Sequence, residues 1–128
     1  MRYVIALIAA LVAISLSDWL LFGVVFHKRY DKTPATWRTI PEGRKIAGSM
    51  LFALIGTIAL FQLADRFGAH TFVDLCPLTV LTWFAASLPQ TVTNTLYVNY
   101  DRALVVSHSL GWLARLVIAA AAYGLIVR

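Results

Sequence analysis

Four apolar runs, at about residues 3–26, 46–64, 75–98 and 103–127, take up most of this 128-residue chain. A helix needs about 20 residues to cross the hydrocarbon of a bilayer, and each run is close to or above that length. Because water is absent there, a spanning segment must satisfy its own backbone hydrogen bonds, which leaves helices as the reading for runs of this kind. The expected fold is therefore an all-α integral membrane protein: a single four-transmembrane-helix bundle over residues 1–128, with a short interfacial helix in its first loop. Composition agrees, since 60% of residues are hydrophobic, 13% are charged and the mean hydropathy is +0.77. An ordinary soluble domain carries about 25% charged residues.

The first run follows Arg2 and is interrupted by Ser15, Ser17 and Asp18. Small residues there resemble a signal-peptide cleavage site. Apolar sequence resumes at Trp19, however, so the whole stretch is read as a retained helix.

The 27–45 loop holds Lys28, Arg29, Lys32, Arg38, Arg44 and Lys45 against Asp31 and Glu42, which accounts for +4 of the net +5. The positive-inside rule assigns such a loop to the cytoplasm. Arg102 falls on the same side, and Arg2, Arg66 and Arg128 on the other, so both termini are expected outside, in a bacterial inner membrane. Thr33 and Pro34 read as an N-cap followed by proline at the first helical position, which starts the interfacial helix and brings Trp37 to the lipid surface. The six loop cations and Trp37 are the expected contacts with anionic head groups. No nucleic-acid-binding module fits in so few residues.

In the second run Ser49, Ala53 and Thr57 recur every four residues, a small-residue stripe suited to close helix approach. It is expected to be used inside the bundle. Residues 65–72 read as a tight turn with a solvated His70. The third run carries Pro77 in its first turn and Pro89 in its interior, where the missing N–H and the ring clash predict a kink. Gln90, Thr93, Asn94 and Tyr97 then share one helical face.

Arg115 sits near the centre of the last run. A charge at that depth costs about 3 kcal/mol on insertion scales and needs a partner in the protein interior. At 1.5 Å per residue, Asp18 and Gln90 both lie roughly 12 Å from the cytoplasmic ends of their runs and Arg115 roughly 16 Å. His108 and Asn94 lie about 6 Å in by the same rise. The expectation is a polar funnel open to the cytoplasm, with His108 and Asn94 above a layer of Gln90 and an Asp18–Arg115 ion pair. Its residues are thus Asp18, Gln90, Asn94, His108 and Arg115.

No cofactor or metal is expected. Cys76 is the single cysteine, and His27 and His108 differ in depth, which disfavours a haem between them. Paired-carboxylate, His-Glu-x-x-His, phosphate-loop and Gly-x-Ser-x-Gly spacings are absent. An accessory or binding protein that receives an amphiphile or partner helix is the leading function class. A proton-coupled transporter using Asp18 and a membrane enzyme using His108 are the alternatives. A homo-oligomer and a larger membrane partner both remain open.

Trp19, Phe22 and Gly23 near the end of the first helix, with His108 and Gly111 in a small-residue-rich last helix, resemble a family of small four-helix bacterial membrane proteins labelled domain of unknown function 1761. The resemblance covers most of the chain. It implies a four-helix inner-membrane protein and brings no activity or residue roles. Asp18 also occupies a place similar to the essential acid in the first helix of small multidrug-resistance transporters. Its type and neighbours differ, and Arg115 would neutralise the acid those proteins leave free.

Overall fold

The computed structural model describes residues 1–30, 40–97 and 101–127. Four long helices account for nearly all of them: α1 (Arg2–Val25), α3 (Glu42–Phe67), α4 (Phe72–Tyr97) and α5 (Arg102–Val127), with a single turn, α2 (His27–Tyr30), after the first. The long helices have 24 to 26 residues, roughly 36–39 Å at the α-helical rise, and all four are long and apolar enough to cross a membrane.

α5 is the centre of the bundle. It packs against each of the other three long helices, and its buried positions are mostly small: Ser107, Ser109, Gly111, Ala119, Ala120 and Gly124. Small residues let backbones approach, so neighbours gain close van der Waals contact without large side chains between them. α1 answers with Ala6, Ala10 and Ile14, spaced by four and all buried. On α3, Ala53 and Thr57 are buried and, with Gly56, meet Trp112, Leu116 and Ala119 of α5 around a void of only about 10 Å³. The small-residue stripe is therefore spent inside the bundle. At one end the core is aromatic. Phe61, Tyr123 and Tyr3 stack edge to face, with ring centroids 5.1 to 6.1 Å apart.

Outward faces remain apolar. Val12, Phe52, Leu81 and Leu125 are each more than half exposed, an apolar surface of the kind that marks contact with a membrane or with another protein.

The helix ends follow local chemistry. α3 stops at Gly68, which takes φ +64° and donates its N–H to the Asp65 carbonyl, while Ala69 N–H reaches Ala64 O. Glycine suits this left-handed terminal position because it has no β-carbon. α4 begins with a capping box in which Thr71 accepts from Asp74 N–H and the Asp74 carboxylate accepts from Thr71 N–H. Asp101 caps α5 by accepting from Ala103 N–H at 2.7 Å.

Two boundaries differ from the sequence reading. α3 starts at Glu42, so Arg44 and Lys45 stand in its first turns and not in the loop. The apolar run begins only at Ile46, but a polar first turn with an acid near the positive end of the helix is favourable. α4 starts at Phe72, which brings Asp74 inside the helix as its capping acid. The interfacial helix expected from Thr33, with Lys32, Trp37 and Arg38, lies outside the described residues. A helical turn occurs earlier, at His27–Tyr30. The distortion expected at Pro89 takes the form of a π-helical stretch, Trp83–Ser87, just before it. The wider turn accommodates the missing donor and the ring.

Candidate functional site

Asp18 and Arg115 meet across the bundle. Arg115 Nε donates to Asp18 Oδ1 at 3.1 Å and Nη2 to Oδ2 at 2.7 Å, a two-pronged geometry that matches the planar guanidinium to the carboxylate. Nη2 also donates to Ser49 Oγ at 2.8 Å, so α1, α3 and α5 are joined at one guanidinium. Both charged side chains are largely buried, 13% and 19% exposed. Arg115 further lies 5.1 Å from the ring centre of Trp112, one turn earlier on α5. Guanidinium has five N–H donors, and Nη1 has no partner among the described residues.

This polar joint forms the base of a cavity of about 530 Å³ between α1, α3 and α5, a volume within the range of small-molecule sites. One wall is aromatic. Phe22, Tyr30 and His108 form a three-ring cluster with centroids 5.5 to 6.1 Å apart. Phe22 is seated because Gly111 has no side chain: a β-carbon at 111 would come within 2.7 Å of its ring. Tyr30 is tied to α5 by a 2.9 Å hydrogen bond between its hydroxyl and that of Ser107, and lies 3.5 Å from His108 Nε2. Burial raises the Tyr30 pKa above the ordinary phenol value, partly offset by the Ser107 bond. On the α3 side stand Ile46, Ser49 and Met50, and Ser15 of α1 contacts the Met50 sulfur at 3.0 Å. At the rim, Lys45 and Glu42 pair at 3.2 Å on consecutive turns.

Gln90 and Asn94 are elsewhere. They line a second cavity, of about 340 Å³, between α4 and α5, together with Ser87 and Thr91. His108 and Trp112 border both cavities. The single funnel expected from matching depths is thus two cavities on opposite edges of one α5 stripe. Depth along a helix does not specify the direction in which a residue faces. His27 is exposed at the start of α2, as are Lys28 and Arg29 beside it.

A second polar cluster escaped the sequence reading. Both Tyr3 and Tyr123 donate to the carboxylate of Asp65, one to each oxygen. The antiparallel order of the runs placed all three at one end, and that signal was available. Among the described residues, no three His, Cys, Asp or Glu side chains are grouped as a metal site would require.

The residues singled out near Trp19, Phe22, Gly23, His108 and Gly111 converge here: Phe22 fills the Gly111 notch, lies against His108, and Trp19 lies beside Gly23. No curated protein and no solved structure matches the chain. The model of the family described as "protein of unknown function (DUF1761)" matches residues 5–124, nearly the whole chain, and the protein therefore belongs to that family.

Proposed function

We propose that this is a multi-pass protein of the bacterial inner membrane, with both termini outside and the 27–45 loop in the cytoplasm, that binds an amphiphile in the α1–α3–α5 cavity. The observation that carries this reading is a cavity with an ionic joint at its base, a cluster of three rings in edge-to-face and tilted contact along one wall, and apolar Ile46 and Met50 opposite. Such a site offers polar anchors to a head group and hydrocarbon to a chain. The alternatives fare less well. Transport through Asp18 needs an acid free to load and release a proton, and both its oxygens accept from Arg115. Catalysis by His108 needs a partner that orients or activates it, and its neighbours are the Tyr30 hydroxyl and the Phe22 ring.

The test is native mass spectrometry on protein extracted gently from its own membranes, without over-expression. One defined amphiphile per chain, lost when Met50→Trp fills the cavity, is the expected result. A bare chain, or a mass retained equally by that variant, would overturn the reading. A larger unrelated protein at fixed ratio, with no small molecule, would replace it with an accessory-subunit role.

A further inference from the structure

The charges around the α1–α3–α5 cavity point to a particular kind of head group. Its described lining holds two carboxylates, Asp18 and Glu42, and two cations, Lys45 and Arg115. They form two ion pairs at different depths, one at the base and one at the rim. A ligand with a net charge would therefore meet no opposing net charge in the described lining. A ligand carrying both signs would find a partner for each. Arg115 Nη1, unpartnered among the described residues, and Lys45, held only by a neighbour on its own helix, are available to an anionic group. Glu42 is largely exposed at the rim, and the rings of Phe22, Tyr30 and Trp19 also line the cavity. Aromatic faces attract an ammonium and tolerate its poorly hydrated substituents.

Resting on the amphiphile-binding reading above, we infer that the cavity selects a zwitterionic head group, with its ammonium against the aromatic wall and its anionic group toward Lys45 and Arg115. Excess charge of either sign on the lipid is rejected because one rim or base group is then left without compensation.

The experiment reconstitutes the full chain in nanodiscs containing equal amounts of phosphatidylcholine, phosphatidylethanolamine, anionic phosphatidylglycerol and cationic ethylphosphatidylcholine with matched chains. Native mass spectrometry then records which lipid is retained. The wild type is expected to keep one zwitterionic lipid, several-fold over either charged class. Lys45→Gln should move retention toward the cationic lipid, and Glu42→Gln toward phosphatidylglycerol. Both positions are surface-accessible, so neither change threatens the fold. Preferential retention of phosphatidylglycerol by the wild type, or variants that keep its selectivity unchanged, would overturn the inference while leaving amphiphile binding intact. Retention of no lipid above that of Met50→Trp would overturn both.

Discussion

Phe22 lies so close to Gly111 that the two residues occupy what would otherwise be one side chain's space, 2.7 Å separating the ring from the position of a β-carbon. Gly111→Ala is therefore expected to push the ring out of its notch and into the cavity. Overpacking of this kind costs about 1–3 kcal/mol, and because the ring can swing, the low half of that range is expected. The melting temperature in detergent should fall modestly and amphiphile retention should fall with it. Unchanged retention would mean that Phe22 is not a wall of the site.

Gly124 is the sterner case. A β-carbon there would stand 2.4 Å from the backbone nitrogen of Phe72 and 2.9 Å from the carbonyl carbon of Thr71. Backbone cannot rotate aside as a ring does, so Gly124→Ala should reach or exceed the upper end of about 1–3 kcal/mol for overpacking. Comparing thermal melts of the two alanine variants checks the order. A milder effect at 124 than at 111 would contradict the helix contact described.

For the Asp18–Arg115 joint, removing one partner should be worse than removing both. Breaking a buried pair costs about 3–5 kcal/mol, whereas replacing the pair with apolar residues of similar size is often neutral. Asp18→Asn is expected to lower the melting temperature sharply, and Asp18→Leu combined with Arg115→Met to recover much of the loss. Full stability in Asp18→Asn alone would show that the ion pair holds little of the bundle together.

Thr79 is buried, and its hydroxyl has no hydrogen-bond partner among the described residues. Thr79→Val keeps the shape and removes the unpaired group, whose burial costs about 1–3 kcal/mol. A rise in melting temperature is expected. A fall would imply that the hydroxyl has a partner in the membrane.

How much of this could be read from residues alone follows a simple division. The four long apolar helices were legible because length and hydropathy are one-dimensional quantities, and their starts at Glu42 and Phe72 were not, because there a helix begins in polar sequence. Arg115 announced its need for a carboxylate, and only Asp18 lay at a suitable depth. Gln90 and Asn94 were misplaced because equal depth says nothing of azimuth: α4 packs on a different side of α5 from α1 and α3. The Phe22–Gly111 notch and the third Arg115 partner, Ser49, depend on how two helices face each other. That is a property of pairs, which spacing within one helix does not encode.

Chain order gives the central position of α5 a further meaning. The three long helices that precede it in synthesis all pack upon it, and Asp65 gathers a tyrosine from α1 and another from α5. Until α5 emerges, Asp18 has no guanidinium and the small faces of α1 and α3 lack their main partner. The bundle is thus committed late. A chain stopped before residue 102 would leave Asp18 without its guanidinium and Asp65 with Tyr3 in place of two tyrosine donors.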